Sequence, residues 1–226
     1  MLRLTFVLLA TIALAAASAS AGAAQARTIV QRTRGNDQHG RYDISWVRLT
    51  ERVATPAVRR RVNVDLEREA RSRICEPDPG RRKDLDAWFE MEVTYLGPRL
   101  LAIQTSEETF CGGAYPNHGP GSLLYDLRTG ARLDLESQIA DARAFRRFLA
   151  RRVLAAAPRD AGECSSVYTD EMAETPFIYI LHARTLGVIQ DYPHAIQACA
   201  YETPIPHADL LRFVKPGSPL QSLRTR

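Results

Sequence analysis

Residues able to do chemistry are spread thinly along this chain. Its five histidines, at positions 39, 118, 182, 194 and 207, stand singly. No G-x-S-x-G, H-E-x-x-H, C-x-x-C, S-x-x-K or P-loop spacing occurs, so the strong hydrolase, metal and nucleotide signatures are missing. Gly119-x-Gly121 is followed by Leu124 rather than a third glycine, which removes the dinucleotide reading. Neither a metal nor a cofactor is therefore expected. Two carboxylates can cleave a glycosidic bond without any short motif, and Asp126 with Asp134, Glu107 or Asp191 could supply such a pair. Turn capping and solvation explain those acids more cheaply.

His118 draws attention because it lies beside Asn117 in the glycine-rich stretch Gly112 to Gly121, seven residues from Cys111. Tyr115, Asn117, Tyr125 and Tyr192 could form an aromatic, hydrogen-bonding surface of the kind that holds a protein or a glycan. With His118 and Asp126 they make the candidate ligand-binding set. The competing reading is a solvent-facing loop histidine and two core tyrosines, at 125 and 192.

These residues need a scaffold. Gly112-Gly113 and Pro116 to Gly121 read as an irregular loop. Ser122 to Leu127, the turn Arg128-Thr129-Gly130, and Ala131 to Leu135 then read as a hairpin. Upstream, residues 27–40 are polar and aperiodic, which reads as a flexible, unpaired leader. Alternation from Tyr42 to Val47 predicts a strand. Thr55-Pro56 opens a helix with Val58, Val62, Leu66, Ala70 and Ile74 at four-residue steps, and 76–80 stops it. Leu85 to Leu96, with Phe89, Met91, Val93 and Tyr95 alternating against Trp88, Glu90, Glu92 and Thr94, is a half-buried strand with a polar outer face. Gly97-Pro98 turns it into a returning strand, Leu100 to Phe110.

A second amphipathic helix follows the hairpin, with Phe145, Phe148, Leu149, Arg152 and Val153 on its inner stripe, the arginine snorkelling. Residues 159–176 form a long loop carrying Cys164. Phe177 to Leu181 and Gly187 to Tyr192 make a hairpin turned at Arg184 to Gly187. Cys199 to Ile205 is a last strand, His207 to Phe213 a short helix, and 216–226 a flexible tail. The elements lack the regular alternation of a parallel sheet. The predicted class is α+β: a largely antiparallel sheet with two main helices packed on it, stapled by disulfides, as one domain over 41–215.

Residues 1–26 have Arg3 as their only charge, an apolar run from Leu4 to Ala17 and an Ala24-Gln25-Ala26 ending, the pattern of a secretory signal peptide. No other stretch approaches the roughly 20 apolar residues that span a bilayer, so the expectation is an exported protein, periplasmic or secreted, with no membrane span after cleavage. Its formal net charge of +4, from 30 basic and 26 acidic residues, is no nucleic-acid signature. Only Lys83 and Lys215 are lysine, and the arginine runs at 59–61, 146–147 and 151–152 read as solvated faces. An even cysteine count in an exported chain is usually a disulfide framework. Of the three possible pairings, Cys75 with Cys111 ties the long helix to the central loop, and Cys164 with Cys199 pins the long loop to the last strand. Oligomeric state is left open by these features.

Gly112-Gly113-Ala114-Tyr115-Pro116, the Tyr125 to Leu135 hairpin, the helix at Ala142, the pair Phe177 to Tyr192 and the run from Tyr192-Pro193 to Ile205-Pro206 together resemble a known family. It is the extracellular domain of unknown function found at the C-terminus of the lysozyme-sensing anti-sigma factor RsiV and beside some peptidoglycan deacetylases. The resemblance covers roughly residues 85–213. Tyr115 stands where that family usually has histidine, which weakens any histidine chemistry by analogy, and Cys199-Ala200 stands where it often has glycine. The resemblance implies an exported module that recognises a lysozyme-like envelope protein or peptidoglycan. An envelope polysaccharide hydrolase or deacetylase, and a structural envelope protein, are the alternatives. The absence of catalytic spacings favours binding over catalysis.

Overall fold

The computed structural model of the protein describes residues 27–76, 85–112, 115–157, 164, 174–192 and 194–225. The expected signal peptide lies outside these residues, as does most of the long loop at 159–176. From Thr28 the chain is already paired. β1 (Thr28–Asp37) runs antiparallel to β2 (Gly40–Leu49), register running from Thr28 opposite Leu49 to Asp37 opposite Gly40. The leader expected at 27–40 is thus a strand. It carries no clear period because it is the edge of its sheet, where polar residues meet solvent on the rim as well as on a face. Gly40 closes the turn with φ at 80°, and a Cβ there would stand 2.2 Å from the Leu85 carbonyl oxygen, so no other residue fits.

α1 (Pro56–Arg71) starts as its sequence dictates, with Thr55 accepting from the Val58 amide and proline in the first turn. Val58, Val62, Leu66 and Ala70 are its buried stripe. It ends at Arg71, short of Ile74. The helix carries the chain from β2 to β3 (Asp86–Leu96), and those two strands pair in parallel, which a crossover of that length permits. β4 (Leu100–Phe110), β5 (Asn117–Asp126) and the short β6 (Ala131–Arg132) then add antiparallel neighbours, completing a six-stranded sheet in the order β1-β2-β3-β4-β5-β6.

β5 departs from expectation. Asn117 to Gly121 is not irregular loop but strand, paired with Thr109 to Thr105 of β4. Its composition fits that role for two reasons. A Cβ on Gly121 would lie 2.5 Å from Thr105 Oγ1, and one on Gly119 would lie 2.7 Å from Gln197 Nε2, so both glycines serve close approach. β6 pairs only at Tyr125 and Asp126, so at Pro120 the strand borders no β6 partner and a missing N–H is tolerated.

Strand parity divides the core into two clusters. On one face Phe89, Met91, Leu101, Ile103, Leu123 and Tyr125 pack against α1. On the other, Tyr95, Leu100, Ala102 and Leu124 join a second cluster. A bulge at Thr94 makes this possible, because Val93 pairs with Ile103 but Tyr95 with Ala102. The extra residue turns Tyr95 to the face opposite Phe89 and Met91.

That second cluster is covered by a separate three-stranded antiparallel sheet, β7 (Phe177–Leu181), β8 (Thr185–Gln190) and β9 (Thr203–Pro206). α2 (Ala142–Ala156), capped by Asp141, packs with β9. The architecture is therefore mixed α and β with a dominant antiparallel-rich sheet, but two sheets rather than one. Ala150, not Arg152, completes the inner stripe of α2 with Phe145, Leu149 and Val153, and Arg152 is exposed. The β7–β8 turn falls at 182–184. Cys199 belongs to a 3-10 turn, His194–Cys199, so β9 starts later than expected, and α3 (His207–Leu210) is shorter. The expected flexible tail is also ordered: Pro219–Thr225 forms 3-10 turns, and Leu220 and Leu223, three residues apart and so on one side of that helix type, are buried in the second cluster. Disulfides join Cys75 to Cys111 and Cys164 to Cys199, the pairing expected from sequence. Among the described residues no helix is long and apolar enough to cross a membrane.

Candidate functional site

β3 buries Ala87, Phe89 and Met91 on the α1 side, which sends Trp88, Glu90 and Glu92 to the opposite face. The small sheet covers that face only towards Tyr95, Leu100, Ala102 and Leu124. Trp88 lies beyond this cover and remains 40% exposed. Register supplies its neighbours: Arg34 lies opposite Asp43, Asp43 opposite Trp88, Trp88 opposite Glu108, and Glu108 opposite His118. Directly paired residues share a face, so five strands contribute one side chain each to a single row. At the usual strand spacing that row spans roughly 20 Å. A groove of about 740 Å³ runs beside it, with Trp88, Arg41, Asp86, Phe110 and Pro116 in its walls.

Of the six residues expected from sequence to bind ligand, none lines this groove and two border residues that do. Tyr115 immediately precedes the groove residue Pro116 and is 73% exposed, and His118 ends the cross-strand row. Asn117 is exposed but faces the other side, opposite Thr109. Tyr125 is fully buried, its hydroxyl donating to Asp65 Oδ2 at 2.8 Å. Asp126, also buried, accepts from the Arg128 amide through Oδ1 at 3.0 Å, and its carbonyl accepts from Gly130 at 2.7 Å, so it shapes the β5–β6 turn. Tyr192 is buried. Trp88 is the residue that sequence reasoning passed over. Its signal was present, since a tryptophan among alternate glutamates on a polar outer face has no solvation reason to be there.

No protein-family model matches the sequence, and no curated protein matches it. Solved structures do resemble this one, two DUF3298 proteins among them. A DUF3298 family protein from Pseudomonas aeruginosa PAO1 superposes with a TM-score of 0.52 at 16% identity, covering 85% of this chain and 95% of its own. A member of the DUF3298 family from Bacteroides fragilis NCTC 9343 gives 0.62 at 12% identity, covering 88% and 96%. The chain has the DUF3298 fold. At such identities the likeness is one of fold, and the chemistry has to be read from the groove itself.

Two of the groove carboxylates are already engaged. Asp43 is held below the usual carboxylate range, chiefly by its hydrogen bond from Arg32 and also by Arg34, whose Nε donates at 3.0 Å. Asp86 is lowered in the same direction by Arg41, which grips both its oxygens. A glycosidase acid needs the reverse, a carboxyl raised enough to stay protonated. Among the described residues no ion pair neutralises Glu108, so the groove combines an indole face with a carboxylate that accepts hydrogen bonds. Such a surface stacks a sugar ring or a cationic side chain.

Another polar cluster, Tyr179, Glu136 and Arg146, serves structure. Tyr179 donates to Glu136 Oε1 at 2.6 Å, and Arg146 Nε donates to the same carboxylate at 3.0 Å. Burial, reinforced by Glu136, pushes the Tyr179 hydroxyl far up, so it stays a donor. Among the described residues no group of three histidine, cysteine or acidic side chains is placed to hold a metal ion.

Proposed function

We propose that this chain is an exported binding module of the cell envelope, recognising a lysozyme-like protein or peptidoglycan through the Trp88 groove without altering it chemically. The observation that carries the reading is a partly exposed tryptophan held at the centre of a five-strand row, on the part of the sheet face that the small sheet leaves uncovered. Aromatic side chains presented by rigid elements bind with little ordering cost. The Cys75–Cys111 bridge supports this, because it anchors the chain just before Tyr115 and Pro116 to the segment that follows α1. Export is supported by the signal-like N-terminus and by two disulfides, which persist in oxidising compartments. The resemblance to the lysozyme-sensing domain family points to the envelope.

The test is retention of purified protein on immobilised lysozyme and on peptidoglycan sacculi, for wild type and Trp88→Ala. The expected result is retention on one of the two, weakened by about 2 kcal/mol in the variant, with the thermal transition unmoved because Trp88 is partly exposed. Release of reducing ends or acetate from sacculi would mark a catalyst instead, and retention on neither would end the proposal.

A further inference from the structure

On the opposite side of the large sheet from Trp88, a second cleft of about 620 Å³ opens between α1 and the β5–β6 turn. Arg60, Arg61 and Arg68 of α1 and Arg132 of β6 line it, with Val64 and Asp65 between them. Charge is poorly balanced there. Asp65 already accepts from the Tyr125 hydroxyl at 2.8 Å and lies 3.7 Å from Arg68. Arg132 is committed to Glu69 at 2.8 Å. Among the described residues neither Arg60 nor Arg61 has an ion-pair partner, and both are exposed. Val64, a residue helix propensity would not choose for solvent, is 56% exposed between Arg60 and Arg68 at four-residue steps.

The wall is fixed closely. Gly130 holds φ at 71°, and a Cβ there would stand 3.2 Å from Arg61 Cδ and 3.3 Å from the Val58 carbonyl oxygen. The turn therefore packs directly on the first turns of α1 and lays the Arg61 stem against the cleft edge. Guanidinium groups present paired N–H donors that match an oxyanion with several oxygens, and phosphoryl groups suit them best. The basic face of α2 is a weaker candidate, since Arg146 there is spent on Glu136.

We infer that this cleft binds a phosphoryl group, a phosphomonoester or pyrophosphate, either free or at a lipid headgroup. Arg60 and Arg61 supply the unpaired charge, and Val64 supplies an apolar contact for whatever carries the phosphate. This site is separate from the Trp88 groove and does not depend on what that groove binds.

The test is calorimetric titration of the intact mature protein with inorganic pyrophosphate at low ionic strength. Its partner experiment is cosedimentation with phosphatidylcholine vesicles with and without phosphatidic acid. Wild type is expected to bind pyrophosphate saturably, and Arg60→Gln with Arg61→Gln to weaken it by at least about tenfold. Val64→Glu, at a position too exposed to threaten folding, should weaken it as well. Trp88→Ala and the control Arg143→Gln with Arg147→Gln on α2 should bind as wild type. Cosedimentation only with phosphatidic acid, displaced by pyrophosphate, supports the headgroup; pyrophosphate binding without vesicle binding supports the free group. Absence of pyrophosphate binding overturns the inference, as does an equal loss in the α2 control or none in the α1 variants.

Discussion

At the scale of single residues, the tyrosines show how a side chain's surroundings decide its use. Tyr115 just precedes β5 and Tyr125 lies within it, ten residues on, yet the first is 73% exposed and the second 0%. Tyr115→Ala is accordingly expected to weaken retention on the envelope ligand, whereas Asn117→Ala, on the far face, should leave it unchanged; the retention assay separates the two. Tyr125→Phe should instead cost about 2 kcal/mol of stability by urea denaturation, because a buried hydroxyl that satisfies the Asp65 carboxylate is lost. Glu136 offers a pH test. Burial pushes its carboxyl up, but hydrogen bonds from Arg146 and Tyr179 outweigh that and hold it below its ordinary 4.5. A depressed folded value stabilises above the unfolded one and fades as pH falls through the folded one. Wild type should therefore exceed Glu136→Gln in stability at neutral pH, and the gap should close below pH 4.5; a gap that widened on acidification would refute the assignment.

At the scale of elements, legibility followed local pattern. α1 could be read almost residue by residue, because Thr55-Pro56 is a strong start signal and Val58, Val62, Leu66 and Ala70 mark one face. β3 is equally plain from alternation, and β4 from the Gly97-Pro98 turn that sends the chain back along it. β1 was not, since an edge strand with few buried side chains has no period to detect. The first half of β5 defeats local reading for the opposite reason, while Ser122 to Asp126 is strand as expected: Gly119, Pro120 and Gly121 are loop formers in isolation, and only the Thr105 and Gln197 side chains they make room for explain them as strand. The groove suffered similarly, because Asp43, Trp88, Glu108 and His118 are far apart in sequence and meet only through register. Two tests belong here. A chain beginning at Arg41 removes β1 and bares β2 as a new edge; light scattering should then show self-association. Cys75→Ser with Cys111→Ser opens a loop with a separation of 36 residues, which in the chain-entropy model costs about 4 kcal/mol, measurable as a lower urea midpoint.

At the scale of the whole molecule, the decisive feature is that one sheet serves two cores. β4 alternates between them, Leu101 and Ile103 facing α1 while Leu100 and Ala102 face the small sheet. β5 does the same with Leu123 and Tyr125 against Leu124, and the Thr94 bulge adds Tyr95 to the second cluster. Neither cluster can come apart without baring the back of strands the other depends on. The C-terminal turns add to this coupling, since Leu220 and Leu223 bury in the second cluster although they lie in a segment whose composition reads as tail. The molecule should therefore unfold in one step despite its two sheets. Leu66→Ala removes a fully buried side chain from the first cluster and Leu149→Ala one from the second, and each should cost about 2–5 kcal/mol. Each variant is expected to lower a single transition in which far-ultraviolet and near-ultraviolet circular dichroism coincide. If Leu149→Ala split that curve, shifting one phase and leaving the other in place, the small sheet would be an independent folding unit and the shared-strand account would fail.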